Sequence, residues 1–118
     1  MSDNDATAAA ELDEPPKGAT LPSIVDDERA AAQVAEILKA IAHPLRVRII
    51  ALLIAGPQHV NGLAERLETK QAVVSQQLRI LRMRGLVAVE RSGPYSHYRL
   101  AEPNLVQLVG CMERCSLH

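Results

Sequence analysis

A chain of 118 residues has room for one domain and a tail. Its formal net charge of -1 conceals two parts of opposite sign: residues 1–28 hold eight acids against the single base Lys17, a net of -7, and residues 29–118 hold twelve bases against six acids, a net of +6. No apolar run reaches the length of a membrane span and the N-terminus lacks a basic, apolar leader pattern, so the expectation is a cytoplasmic protein with no membrane partner. Its two cysteines are then expected to be reduced thiols rather than a disulfide.

Residues 1–25 are rich in Asp, Glu and Ala and contain Pro15, Pro16, Gly18 and Pro22. That composition predicts a disordered acidic tail, with residues 26–118 as the folded domain. The chain has no Phe and no Trp. Its core must come from Leu, Ile, Val and Ala, with Tyr95 and Tyr98 as the available aromatics. A domain of about 90 residues buries only about 60–65% of its surface, and leftover aliphatic faces on the terminal helices would favour a dimer.

The first helix is expected to start at Asp26 or Asp27, either of which can cap it. Val34, Ile37, Leu38 and Ile41 form its apolar stripe, and His43-Pro44 ends it. Pro44 suits the first position of a second helix whose core face is Leu45, Ile49, Leu52 and Leu53, stopped by Gly56-Pro57. A short third helix spans about 60–67, with Leu63, Ala64 and Leu67 inward. After the turn Glu68-Thr69-Lys70 a fourth helix covers about 70–84, with Val74, Leu78 and Leu81 facing the core and Gly85 as the C-terminal cap. Residues 86–91 and 96–100 read as two strands around the turn Ser92-Gly93-Pro94. Pro103 opens a last helix with Leu105, Leu108, Val109 and Met112 as its stripe.

This order predicts a mainly α fold with a small β-hairpin: a winged helix-turn-helix of about five helices and a two-stranded wing. In that layout the fourth helix enters the major groove of DNA and the hairpin lies against the backbone. Gln71 and Gln76 are suited to bidentate pairing with adenine, and Ser75 to base edges or phosphate. Lys70, at the helix start, suits phosphate; Arg79 and Arg82, further along, suit the DNA backbone, and Arg91 and Arg99 flank the wing. A basic domain is what phosphate neutralisation requires, although a solvated charged surface has the same composition. There is no nucleophile–base motif, no Gly-rich phosphate loop and no carboxylate pair in an evident pocket, so an enzyme is not expected. A winged-helix interaction module that never reads DNA is the alternative from another class.

Three blocks in this order resemble the ArsR/SmtB family of bacterial winged-helix repressors. LKAIAHPLRVRIIALL is similar to its second-helix signature, LAERLETKQAVVSQQLRILRMRGLV to its helix-turn-helix, and SGPYSHYRL to its wing. The match runs from about Leu38 to Val109. The resemblance implies a homodimer built from the first and last helices, a palindromic double-stranded DNA operator, and a repressor released by an inducer. It also implies that Arg46 and Arg48 occupy the family's paired-arginine positions, either on the DNA backbone or in intramolecular ion pairs. The chain departs from the family at the wing tip, where Ser-Gly-Pro-Tyr stands where members often carry Arg or Lys, so the resemblance does not carry minor-groove insertion over to this wing, and Tyr95 is free to pack under the hairpin.

The family's metalloid motif on the third helix, Cys-x-Cys, is replaced here by His59-Val60-Asn61, and the Asp/His zinc pattern of its last helix is absent. What remains is Cys111 and Cys115, four apart and so on one face, with His118 on the same face if the helix continues. Three readings fit the pair. Two thiolates and a third donor suit a soft inducer such as As(III) or another thiophilic metal ion, with no resident cofactor required. Thiol redox or persulfide chemistry is the second; the persulfide-sensing members of the family carry a second-helix cysteine where this chain has Ala51. Packing of two small apolar residues is the third. His43 and His97 are expected to be structural.

Overall fold

The structure, a computed structural model, describes residues 21–116. The predicted tail therefore lies almost wholly outside the described residues, as does His118. The described residues fall into two units that divide between Ala32 and Gln33. In the first, Ser23–Asp26 forms a 3-10 turn ahead of α1 (Glu28–Ile41). Asp27 caps α1: its Oδ1 accepts from the Ala30 amide at 2.9 Å, which satisfies one of the donors a helix start leaves open.

The second unit contains the rest of α1, then α2 (Pro44–Ile54), α3 (Val60–Leu67), α4 (Gln71–Met83), the antiparallel strands β1 (Val87–Ser92) and β2 (Tyr95–Leu100), and α5 (Asn104–Ser116). The described residues thus form five α-helices and a two-stranded hairpin in the winged helix-turn-helix arrangement. Local chemistry sets the boundaries. His43 is the cap of α2, its Nδ1 accepting from the Leu45 amide at 3.1 Å, and Pro44 takes the first helical position, where a missing N–H costs nothing. Gly85, at φ 74°, ends α4: its amide donates to the Arg82 carbonyl at 2.9 Å and the Leu86 amide to the Leu81 carbonyl at 3.0 Å. Those two bonds make a complete left-handed C-terminal cap, which delivers the chain into β1. Gly93, at φ 61°, takes the first position of the Gly93-Pro94 hairpin turn, where a positive φ is required and a side chain is disfavoured.

The core is aliphatic. Ile49, Ile50, Leu63, Val74, Leu78 and Leu81 are essentially sealed, and no polar side chain is buried among the described residues. The predicted core faces of α3 and α4 are the observed ones. Three expectations differ. Ile50 is fully buried although it lies off the stripe read for α2, because α2 is central and packs against α3, α4, α5 and β2. Val34 and Leu38 of α1 and Met112 of α5 remain exposed, at 43%, 49% and 57%, although they extend their helices' apolar stripes. Tyr95 does not pack under the hairpin: it is 63% exposed, whereas Tyr98 rests on the core. Three residues apart on one strand, the two tyrosines necessarily point to opposite faces.

Candidate nucleic-acid interface

Val74, Leu78 and Leu81 fix the rotation of α4, and everything on its opposite face follows. Gln71, Ser75, Gln76, Arg79 and Arg82 are all exposed and lie along one side at helical spacing, with Lys70 at the N-terminal cap position. The helix of 13 residues is about 20 Å long at 1.5 Å per residue, enough to lie across a major groove. Lys70, Arg79 and Arg82 make no ion pair among the described residues, so no described carboxylate competes with phosphate for them. Behind this face the α3–α4 turn is held by Glu68 in a left-handed conformation, φ 53°, with the Thr69 amide donating to the Ala64 carbonyl at 3.0 Å. A non-glycine residue there costs on the order of 1 kcal/mol, and it sets the angle at which α4 leaves the turn.

The wing arginines are placed differently from one another. Arg91 is exposed near the hairpin tip, its Nη1 3.5 Å from Ser96 Oγ. Arg99 lies 3.4 Å from Glu90 across the hairpin and also donates to the Leu100 carbonyl at 3.4 Å. An exposed pair of that kind contributes about 0–1 kcal/mol, so it orients Arg99 more than it holds it.

Arg46 is intramolecular, as one of its two readings had it, but through hydrogen bonds rather than an ion pair. From α2 its Nε donates to the Ala40 carbonyl near the end of α1, and its Nη1 donates to Gln77 Oε1 on α4 at 2.8 Å. Arg48 is exposed. A second tie between the same helices joins Arg84, at the end of α4, to Glu36 of α1 at 2.9 Å. Gln77, Arg84 and Glu36 escaped the sequence reading. Gln77 alone left a trace, as a polar residue flanked in sequence by Gln76, expected to read bases, and the core Leu78.

Cys111 and Cys115 are free and exposed on α5. Their spacing puts both on one face, as expected, while His118 lies outside the described residues. Among the described residues no three His, Cys, Asp or Glu side chains are gathered in a way that could hold a metal ion. The pair thus offers at most two ligands within the described part of one chain. Alongside, α1, α2 and α5 border an apolar groove of about 550 Å³ lined by Leu38, Val47, Ala51, Leu108 and Met112, with Arg48 and Glu113 among its charged residues. No helix of the described residues is long and apolar enough to cross a membrane.

Comparison with known proteins agrees with this geometry. The family described as bacterial regulatory protein, arsR family, matches residues 43–89, from the cap of α2 into β1. The HTH-type transcriptional regulator NmtR of Mycobacterium tuberculosis is 43% identical over 93 residues, which is 79% of this chain and 78% of NmtR. The crystal structure of the transcriptional repressor BigR from Xylella fastidiosa superposes with a TM-score of 0.74 at 32% identity, covering 82% of this chain and 99% of that one. The homodimeric winged helix-turn-helix DNA-binding domain Mb0332 of Mycobacterium bovis does so with a TM-score of 0.68 at 28% identity, covering 85% and 89%. With the helix-turn-helix, the wing and two-thirds or more of a relative's length matched together, the chain belongs to the ArsR family of bacterial transcriptional regulators.

Proposed function

We propose that the chain is a homodimeric repressor that reads a palindromic operator through α4 and leaves it when a soft metal or metalloid ion, As(III) being the type case, joins Cys111 and Cys115. The observation that carries the DNA reading is the exposed stripe Gln71, Ser75, Gln76, Arg79 and Arg82, backed by the sealed residues Val74, Leu78 and Leu81. Base-edge readers occupy its N-terminal half and cations its C-terminal half, the division of labour between specificity and positioning that a major-groove helix needs. Lys70 and the wing residues Arg91 and Arg99 add phosphate contacts. The second copy is supported by the apolar groove of α1, α2 and α5, by the exposed Leu38, Val47 and Met112 around it, and by the homodimeric state of Mb0332.

The inducer reading rests on two exposed, unpaired thiols four residues apart. Two sulfurs from each of two α5 helices would supply the low-coordinate thiolate set that soft ions favour. An ion there reports to α4 only if it changes the placement of the helices around it, and a coupling of about 1–3 kcal/mol is sufficient for such a switch.

Binding to the chain's own promoter by gel shift tests the first part. A specific shift that weakens steeply with salt is expected, and its absence at micromolar protein would refute the repressor. Ser75→Ala and Gln76→Ala are expected to cost about 1–3 kcal/mol each on the operator and little on unrelated DNA. Equal losses on both would make them backbone contacts. For the inducer, Cys111→Ser and Cys115→Ser are expected to leave operator binding intact and to abolish release by arsenite or cadmium. Release that persists in both variants would remove the thiols from the switch, and release by oxidant or persulfide but not by arsenite would assign them to redox sensing.

A further inference from the structure

The wing is not a free hairpin. Gln58, in the loop between α2 and α3, forms an isolated antiparallel bridge with Tyr98 of β2: the Gln58 amide donates to the Tyr98 carbonyl at 2.9 Å and the Tyr98 amide to the Gln58 carbonyl at 2.8 Å. A pair that exchanges both bonds is followed, one residue along, by a pair that exchanges none, and in such a pair the side chains stand closest. That neighbouring pair is His59 and His97. Their ring centroids are 4.1 Å apart, and His59 also meets the edge of Tyr95 at 5.5 Å.

The protonation pattern is specific. His59 Nδ1 lies 3.2 Å from the Ser96 carbonyl oxygen. A carbonyl only accepts, so Nδ1 carries the hydrogen and Nε2 of the neutral ring holds the lone pair. A backbone carbonyl that fixes the tautomer and orientation of an imidazole is the usual support behind a metal-ligating histidine. The His97 ring makes no hydrogen bond among the described residues, so its nitrogens have no described partner. His59 is exposed and a cleft of about 450 Å³ opens beside it, between the start of α3 and the hairpin tip, with room for water ligands. Glu90 is the cross-strand neighbour of His97 on the other side, but its carboxylate is turned to Arg99.

We propose that His59 and His97 form a two-imidazole site for a divalent late transition-metal ion (nickel, zinc, cobalt or copper), completed by water. Imidazole suits these ions and not the soft ions that suit thiolates. The site is therefore separate in chemistry and in place from Cys111 and Cys115, and stands whether or not those thiols are a sensor. Its ligands come from two different parts of the reading head: His59 leads into α3, and His97 belongs to the wing. A bound ion ties one to the other and restrains the hairpin.

The test uses the untagged, full-length chain with Cys111→Ser and Cys115→Ser together, so that thiols contribute nothing, and nickel as the probe. Calorimetry is expected to give one nickel per chain with micromolar affinity, weakened at least about tenfold by His59→Ala and likewise by His97→Ala. Nickel is also expected to slow hydrogen exchange at the amides of residues 95–99 in the parent and in neither histidine variant. Both histidines are at least partly solvent-accessible, and unchanged circular dichroism in the absence of metal checks that the variants fold. Nickel affinity unaffected by either substitution, or no binding at all, would overturn the proposal. Tight binding without any change in wing exchange would overturn the clamp.

Discussion

Leu78→Ala is expected to lower the stability of the domain by about 3–5 kcal/mol, the upper range for removing three carbons from a sealed site. Leu78 is fully buried in the middle of α4, in a core whose buried residues are all aliphatic. With no Phe or Trp in the chain, the core has few large side chains that could shift into the void. A loss of that size is a large share of the roughly 5–15 kcal/mol by which folded domains are stable, and corresponds to a fall in Tm of at least about 10 °C for a chain of this length. Urea denaturation checks it: the midpoint falls while the m-value stays constant. Met83→Ala, five residues along the same helix but 75% exposed, is the control and is expected to change stability by no more than about 0.5 kcal/mol. Similar effects at the two positions would mean that α4 is not rotated as described, and the assignment of its polar face to DNA would fail with it.

The legibility of α4 in the sequence has a simple cause. It packs on one side only, so a single 3.6-residue stripe, Val74, Leu78 and Leu81, identifies the inside, and the outside is what remains. The same reasoning missed Ile50 because α2 is surrounded, and a helix buried on several sides has no single stripe to find. On α1 and α5 the opposite happened. The stripe through Val34, Leu38 and Met112 is real in the sequence, yet those residues lie outside the core, and periodicity does not distinguish a face turned to the core from one turned to a second chain. The polar contacts were illegible for another reason: Arg46 meets Gln77 across 31 positions and Glu36 meets Arg84 across 48. No local pattern encodes such partners. The pairing of His59 with His97 likewise depends on the register of the Gln58–Tyr98 bridge, which only the folded chain displays.

This also changes what the bare wing tip means. A hairpin ending in Ser92-Gly93-Pro94-Tyr95 has no cation at its apex, but it is anchored on its flank at Gln58 and carries Arg91 and Arg99 at the strand ends. Such a wing is equipped to lie along the phosphate backbone rather than to enter the minor groove, and under the proposed function sequence discrimination then falls to α4 alone. The placement of α4 relative to the rest of the unit then matters more than in a protein with two reading elements.

Arg46→Met is expected to weaken operator binding and to lower stability by about 2–3 kcal/mol. The substitution keeps most of the aliphatic stem and removes two charge-assisted hydrogen bonds, each worth about 1.5–3 kcal/mol when well shielded and less at a half-buried position. It leaves the Ala40 carbonyl and Gln77 Oε1 without their partner. Arg46→Lys is expected to recover only part of the loss, since one ammonium lacks the planar fork that reaches an α1 carbonyl and an α4 amide at once. A double-mutant cycle with Gln77→Ala isolates the link, and a coupling of at least about 0.5 kcal/mol in stability is expected. The salt dependence of operator binding supplies the decisive contrast. An arginine that contacts phosphate takes about one unit off the salt slope when it is removed, with little effect on folding. An arginine that positions α4 leaves the slope unchanged and lowers affinity through the helix it holds. A reduced slope with unchanged stability would return Arg46 to the DNA backbone and leave Glu36–Arg84 as the remaining polar tie between α1 and α4.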